Sequence, residues 1–246
     1  MIFAFIYVIV YIGENWDIFH YYVLRSIMIT YEQIKNDPAI RVYVKEADAS
    51  LSALGYTEHS FAHVTKVAET AGYVLTALGH SERTVELAKI AGFLHDIGNL
   101  VNRIDHSQSG AIIAFRILDK MGMEPSEIAT IVTAIGNHDE GTGVPVNAVA
   151  AALILADKSD VRRSRVRGSK IEVGDIHDHV NYSVTNADLT INGENTAITL
   201  ELTIDTAFSS VMDYFEIFLG RMILCRKAAE KLGLRFKLII NKQQLL

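Results

Sequence analysis

Histidine and aspartate residues interrupt several apolar stretches of this chain, where hydrophobic side chains would be buried at lower cost. The stretch "IAGFLHDIGNL" contains the pair His95 and Asp96, and Asp157 follows "AALILA" without a break. A single buried histidine is more often a hydrogen-bonded core residue than a ligand, and a single buried carboxylate is more often a cap or an ion-pair partner. The set as a whole is more informative. It comprises His63, His95, Asp96, His106, His138 and Asp157.

A metal centre is the chemistry that this set favours. Imidazole and carboxylate groups together suit divalent iron, manganese, zinc, cobalt or nickel. Without a cation, several buried charged or polar groups would have no partner. Because a carboxylate has two oxygens, Asp96 could bridge two metals, whereas an imidazole offers one lone pair to one metal. His95 and Asp96 point about 100° apart on a helix, so a shared site would lie in a groove between helices.

The set resembles the HD-domain superfamily of metal-dependent phosphohydrolases. The resemblance covers about residues 50–165. It is most similar to members with two metals, among them bacterial hydrolases of dinucleoside polyphosphates and related nucleotides. It rests on His63 with Val67 and Ala68 after it, the doublet His95–Asp96, His106 in "HSQSGA", His138 in "NHDEGTG" and Asp157 in "LADKSD".

The resemblance implies ligands for two divalent ions and a reaction. One ion would be held by His63, His95, Asp96 and Asp157, and the other by Asp96, His106 and His138. Such ions lower the pKa of bound water from about 15.7 toward about 7, so that hydroxide can attack a phosphate. Asp96, the bridging ligand, is the predicted catalytic residue. The superfamily often has a lysine three residues after the doublet, where this chain has Asn99; this departure concerns the substrate more than the metals.

Other polar residues near the set keep two interpretations. His59 lies four residues before His63 and could share its helix face. Only His63 has the Val–Ala continuation of the superfamily, so His59 is predicted to start the helix or to support the ligands. Asp139 and Glu140 are either solvated loop acids or partners that orient His138.

Basic residues are the predicted contacts of a substrate phosphate. Lys158 and Arg162 lie one helical turn apart, and Arg103 is predicted near the mouth of the pocket. Guanidinium groups match phosphate oxygens in pairs. Arg165 and Arg167 are expected to stay solvated beyond a helix end, where positive charge is favourable.

Composition narrows the partners and the setting. A net charge of −6 disfavours nucleic acid as the main partner. The resemblance implies that the substrate is a phosphorylated small molecule, in the first instance a nucleotide. The single cysteine cannot form an internal disulfide, which favours a reducing, cytoplasmic setting.

Two rival functions remain: a mixed-valence di-iron oxygenase of the same fold, and a signalling module with a vestigial site. The second is disfavoured because the ligand set is complete.

The first 27 residues form an uncertain extension. The apolar run "MIFAFIYVIVYIG" is shorter than the roughly 20 residues of a membrane-spanning helix and lacks the marks of a secretory signal. The stretch "MITYEQI" at Met28 reads as a natural start. No membrane partner is therefore expected, with a membrane-surface anchor as the minority interpretation.

Helical periodicity runs from about residue 30 to 165. The helices that it predicts would position the histidines and aspartates of the set. Ser81 can cap one helix, Asp105 or Ser107 begins the next, and Ser126 begins another. Pro145 would lie in the first turn of a helix over "VNAVAAALILADKSD", which is apolar nearly all round and should be the most buried. The predicted fold is mainly α, with an HD-domain helical bundle over residues 28–168.

A small α+β unit is predicted for residues 169–246. The stretches "HVNYSVTN", "DLTIN" and "TAITLELTID" are predicted strands, and "NGEN" is a hairpin turn between two of them. A helix over about residues 208–232 and the strand "LRFKLII" follow. His177 and His179 in "IHDHV" are predicted at a surface or interface in a strand-like context. An exposed face of the long helix could form a homodimer contact.

Overall fold

The computed structural model describes residues 28–167 and 176–246, so the predicted extension of residues 1–27 lies outside the described residues. The helices are α1 (Tyr31–Asn36), α2 (Pro38–Ala53), α3 (Phe61–Ala77), α4 (Glu82–Leu94), α5 (His106–Lys120), α6 (Pro125–Gly136), α7 (Ala148–Ser159), α8 (Ile176–Ser183) and α9 (Val211–Lys231). Short 3₁₀ turns cover Ile97–Leu100 and Arg163–Arg165. The strands are β1 (Val184–Ile191), β2 (Ala197–Ile204), β3 (Arg235–Ile240) and β4 (Gln243–Gln244). The predicted fold class is confirmed.

Two predicted helix starts agree with the structure. The Ser81 hydroxyl accepts a hydrogen bond from the Thr84 amide and caps α4. Helix α5 begins at His106, directly after Asp105, whose backbone is left-handed at φ 57°. The sharp turn at Asp105 ends the segment that follows the His–Asp doublet.

Two other starts were predicted wrongly. The Glu124 carboxylate accepts hydrogen bonds from the amides of Ser126 and Glu127, so α6 begins at Pro125 and not at Ser126. A proline fits this first position because the amide it lacks would have no helical partner.

Helix α7 likewise begins at Ala148, after Asn147, whose side chain accepts from the Ala150 amide. Pro145 therefore lies in the preceding loop and not in the first turn. The stretch "IHDHVNYS", predicted to be strand-like, is instead helix α8.

The C-terminal sheet has the order β1-β2-β3-β4 within the described residues. Strands β1 and β2 form an antiparallel hairpin, whereas β2 and β3 are parallel and need a crossover, which α9 provides. The hairpin also contacts the helical bundle, because the Asn195 side chain donates to the Ala77 carbonyl at 3.1 Å and the Ile191 amide donates to the Tyr73 hydroxyl at 3.3 Å.

One apolar core joins the bundle and the sheet unit. Helix α7 is buried from Val149 to Ala156, as predicted, and Leu155 belongs to the same cluster of buried residues as Phe218 and Leu238. Cys225 on α9 is also in this core, and burial raises the pKa of its thiol to about 12. Over the described ranges, no helix is long and apolar enough to cross a membrane.

Candidate metal centre

The first histidines of the set meet near a close contact between α3 and α4. Gly92 allows this approach, since a Cβ there would lie only 2.7 Å from the Ala68 Cα. His63, in the first turn of α3, and His95, directly after α4, consequently face each other with their Nε2 atoms 3.3 Å apart. Both imidazoles are fully buried.

Asp157 adds a carboxylate to this pair from the last turn of α7. Its Oδ1 lies 3.5 Å from His63 Nε2 and 3.6 Å from His95 Nε2. Three residues that are far apart in the sequence, His63, His95 and Asp157, therefore each contribute a ligand-type atom to one point in the core.

Asp96 lies between two groups of histidines. Its Oδ2 is 3.1 Å from His95 Nε2 and 3.4 Å from His63 Nε2, while its Oδ1 is 3.5 Å from His106 Nε2. His138, after α6, completes the second side with its Nε2 at 3.2 Å from that of His106. Each carboxylate oxygen of Asp96 thus faces a different side of the cluster.

The second side depends on close packing of α5 against the turn after the doublet. A Cβ at Gly98 would lie 1.9 Å from the His106 carbonyl oxygen and 2.5 Å from the Gly110 amide nitrogen. Only a residue without a side chain fits there. The turn that carries Asp96 can therefore reach the start of α5.

Each imidazole of the set has its Nδ1 bound to an acceptor. The Nδ1 atoms of His95, His106 and His138 donate to the backbone carbonyls of Gly92 (2.8 Å), Arg103 (3.1 Å) and Ile135 (2.6 Å), and His63 Nδ1 donates to Asp160 Oδ2 (2.8 Å). A carbonyl or carboxylate oxygen can only accept, so each Nδ1 carries a proton and Nε2 is the nitrogen that faces the cluster. This is the arrangement by which proteins orient metal-binding histidines.

The donor set fits a divalent cation. Asp96 Oδ2 is buried and has no hydrogen bond within the described residues. His63 and His95 bring two lone pairs to within 3.3 Å of each other, which is favourable only with a proton or cation between them. The groups His63–His95–Asp157 and His95–Asp96–His138 each place their ligand atoms within 4.8 Å of one another.

Charges in the cluster stabilise one another. Burial alone would raise the pKa of Asp96 and Asp157, but His95 beside Asp96 and Lys158 beside Asp157 hold both values well below the usual range. Burial would also lower the pKa of His95, yet Asp96 and Asp157 raise it to about 10. On the other side of the cluster, burial lowers the pKa of His138 to about 3.

Asp160, which no sequence pattern marked, supports the cluster through His63. Its Oδ2 accepts from His63 Nδ1, and its Oδ1 binds Lys66 at 3.0 Å and Arg162 at 2.9 Å. Its pKa is held well below the usual range, because His63 and the nearby cations outweigh the effect of burial. The available signal was its position three residues after Asp157 in "LADKSD".

His59 and Asn99 also contact Asp96. His59 Nε2 lies 3.9 Å from Asp96 Oδ2, and its Nδ1 binds the Thr57 carbonyl at 2.8 Å. Burial lowers the pKa of His59 well below its usual value. The Asn99 side chain donates to Asp96 Oδ1 at 3.1 Å. Asn99 thus orients the Asp96 carboxylate from the position where the superfamily often has a lysine.

A cavity of about 110 Å³ opens beside the cluster. Asp96, His106 and Asp157 line one part of it, and Arg103 and Lys158, both predicted to bind substrate, also line it. Arg162 lies outside this lining, and its guanidinium instead binds Asp160 and the Ser164 hydroxyl. Its predicted contact with substrate stays a prediction.

Arg165 was expected to be solvated, but it is buried and lines the cavity. Its Nη1 donates to the Asp160 carbonyl at 2.8 Å and its Nε donates to the Glu58 carbonyl at 3.0 Å, which compensates for the loss of water. Arg167 is also engaged and forms an ion pair with Asp48.

Lys158 and Glu140 belong to a row of charges that ends on α9. Lys158 Nζ lies 2.7 Å from Asp157 Oδ2 and 3.1 Å from Glu140 Oε2, and Glu140 Oε1 binds Arg221 Nε. Glu140 is therefore neither a solvated loop acid nor a partner of His138. Arg221 has no sequence pattern that marks it, because its relation to this row exists only in the folded chain.

Comparison with known proteins identifies related sequences. A family model described as HD domain matches residues 60–185. Ribonuclease Y of Lawsonia intracellularis is 35% identical over 120 residues, which are 48% of this chain and 21% of that protein. Ribonuclease Y of Bacillus subtilis is 28% identical over 117 residues, with the same two shares. The uncharacterized protein MJ1020 of Methanocaldococcus jannaschii is 26% identical over 160 residues, 56% of this chain and 61% of that protein. The chain spans about a fifth of the ribonuclease Y proteins it matches.

Proposed function

Because the chain belongs to the HD domain family, we propose that it is a metal-dependent phosphohydrolase whose substrate is a phosphorylated small molecule, in the first instance a nucleotide. One observation carries the proposal: buried imidazole nitrogens converge on the two oxygens of Asp96, one of which has no hydrogen bond in the described part of the chain. Hydrolysis of a phosphate bond is the chemistry to which such a cluster is suited.

The residues that would hold two divalent ions are those of the predicted ligand set. His63, His95, Asp96 and Asp157 would hold one, and Asp96, His106 and His138 the other. When bound, such ions supply positive charge that lowers the pKa of water and offsets the charge of a phosphate. The protein contributes fixed geometry, since each Nδ1 already has an acceptor and each imidazole is prevented from rotating.

Arg103 is the cation that we assign to the reacting phosphate. It lines the cavity, its Nη1 lies 3.3 Å from His106 Nε2, and it has no carboxylate partner among the described residues. Lys158 also lines the cavity but is bound by Asp157 and Glu140, so we assign it first to positioning Asp157. A guanidinium without a carboxylate partner is the better ligand for phosphate oxygens.

Ribonuclease activity is the second candidate, since several relatives carry the name ribonuclease Y. The net charge of −6 favours a small substrate instead. An RNA backbone is usually held by clustered basic residues over several nucleotides.

The test combines metal analysis with a panel of substrates. Protein purified without chelators is expected to contain about two transition-metal ions per chain and to release phosphate or nucleotide from nucleoside phosphates and dinucleoside polyphosphates. Asp96→Asn should reduce this activity by at least about 100-fold, because even partners that only orient metal ligands are worth about 10- to 100-fold. Asp119→Asn, which changes an exposed carboxylate on α5, is the matched control and should behave as wild type.

Three results would overturn the proposal. Cleavage of single-stranded RNA without any hydrolysis of nucleotides would identify a ribonuclease. Oxygen consumption by anaerobically purified, iron-loaded protein, without phosphate release, would identify an oxygenase. Metal content that is the same in wild type and Asp96→Asn would show that the cluster is vestigial.

A further inference from the structure

Arg221 reaches the cavity from the C-terminal unit. It lies on α9 and lines the cavity together with Arg103 and Lys158. Its Nε donates to Glu140, and its guanidinium carbon lies 4.3 Å from the centre of the Phe218 ring. These two contacts hold the plane of the guanidinium in place. Its two Nη groups have no hydrogen bond within residues 28–167 and 176–246, so they can still donate.

The charges around Arg221 leave a positive surplus at this wall of the cavity. Glu140 is one carboxylate shared by two cations, Lys158 and Arg221. The other acid in contact with Lys158 is Asp157, which belongs to the predicted ligand set. If Asp157 binds a metal, Glu140 is the only acid of the described residues that still balances Lys158 and Arg221. A second anion is then favoured beside these two cations.

We propose that Arg221 is a specificity-determining residue that binds an anionic group of the substrate other than the phosphate under attack. This inference rests on the function proposed above. A planar guanidinium with two free Nη groups matches two oxygens of a phosphate group. The favoured substrates are therefore those with a second phosphate next to the reacting one, and the C-terminal unit is part of the substrate site.

Binding of two non-hydrolysable probes tests this role. Methylenediphosphonate has two adjacent phosphonate groups, and methylphosphonate has one. Isothermal titration of metal-loaded protein should show tighter binding of methylenediphosphonate by wild type. Arg221→Gln should weaken that binding by about tenfold or more, because a hydrogen bond to a charged group is worth about a factor of ten or more in affinity. Its affinity for methylphosphonate should change by less than about twofold.

The matched control is Arg226→Gln, on the same helix but exposed, whose one ion pair with the described residues is that with Glu230 at 3.9 Å. It should leave both affinities as in wild type. Equal affinity of wild type for the two probes would overturn the proposal, and so would a parallel loss for both probes in Arg221→Gln. If Arg221→Gln does not fold, Arg221→Lys is the variant to measure. Lysine keeps the positive charge but lacks the paired donors of a guanidinium, so its affinity for methylenediphosphonate should fall by at least about threefold. Unchanged affinity in that variant would overturn the proposal.

These measurements stay separate from the test of hydrolysis. Binding of the probes needs no turnover, so an inactive protein that distinguishes them through Arg221 would refute the proposed reaction and keep the anion site. An active enzyme that does not distinguish the two probes would support the proposed reaction and refute the anion site at Arg221.

Discussion

The residues of the cluster are of two kinds. Some face its centre with a ligand-type atom, and others support these residues through hydrogen bonds or ion pairs. The residues that face the centre could be selected from the sequence, because a histidine or aspartate in an apolar helix is conspicuous. Their supporting partners could not be selected in the same way. Asp160 and Arg221 resemble ordinary charged residues in the sequence, and only the packing of helices brings them to His63 and Glu140.

Asp160→Asn tests how strongly a supporting residue controls a ligand. The variant keeps the shape of the side chain but loses the charge that holds the Nδ1 proton of His63. We expect a loss of about 10- to 100-fold in metal affinity or in activity, while the far-ultraviolet circular dichroism spectrum stays unchanged. Asp119→Asn provides the comparison. Wild-type metal affinity in Asp160→Asn would show that the fold alone orients His63.

The raised pKa of His95 predicts how metal binding depends on pH. With a pKa of about 10, His95 is protonated at neutral pH when no cation is bound. Its Nε2 must lose that proton before it can bind a cation. Metal affinity should therefore weaken as the pH falls, by about tenfold from pH 7 to pH 6 for each proton released. Titration calorimetry of chelator-treated protein in buffers of different ionisation enthalpy measures the proton release; a value of zero at pH 7 would contradict the prediction.

At the scale of helices and strands, periodicity predicted which segments are helical better than where they begin. Apolar spacing places the helices of the bundle, but the start of a helix depends on which side chain accepts its first amides. Glu124 is the N-cap of α6, and Asn147 is the N-cap of α7. The stretch of α8 is short and polar, so its helical form depends on contacts with α9 and the second 3₁₀ turn that periodicity does not reveal.

Gly92→Ala tests whether close helix packing sets the geometry of the cluster. An added Cβ would lie 2.7 Å from the Ala68 Cα, a backbone atom, so α3 and α4 must move apart. We expect a loss of about 1–3 kcal/mol in the free energy of unfolding, together with weaker metal binding, since His63 lies on α3 and His95 directly follows α4. Denaturant titration and metal analysis measure both effects.

Gly220→Ala is the appropriate comparison for that substitution. Gly220 is a helical glycine on α9 where an added Cβ meets nothing within 4 Å. The change should leave stability unaltered or raise it by up to about 1 kcal/mol. Equal effects of the two substitutions would show that helix propensity, and not packing, determines the result.

On the scale of the whole molecule, buried charge and folding stability are linked through the cluster. Several of its charged groups lie inside the same core that joins the bundle to the sheet unit. A cation that binds only the folded chain adds about 2.7 kcal/mol at a concentration of 100 times its Kd. Removal of metal by a chelator should therefore lower the Tm measured by calorimetry. The Tm of Asp96→Asn should change little when chelator is added. A wild-type Tm that is the same with and without chelator would contradict the prediction.

The inaccessible sulfur of Cys225 makes the protein convenient for spectroscopy. It is the only cysteine of the chain, it is buried on α9, and its thiol stays protonated at neutral pH. Maleimide dyes react with exposed thiolates, so the wild-type chain should take up almost no label while folded. A cysteine introduced at a solvent-facing position would then carry the fluorophore alone, with no need to remove the natural one.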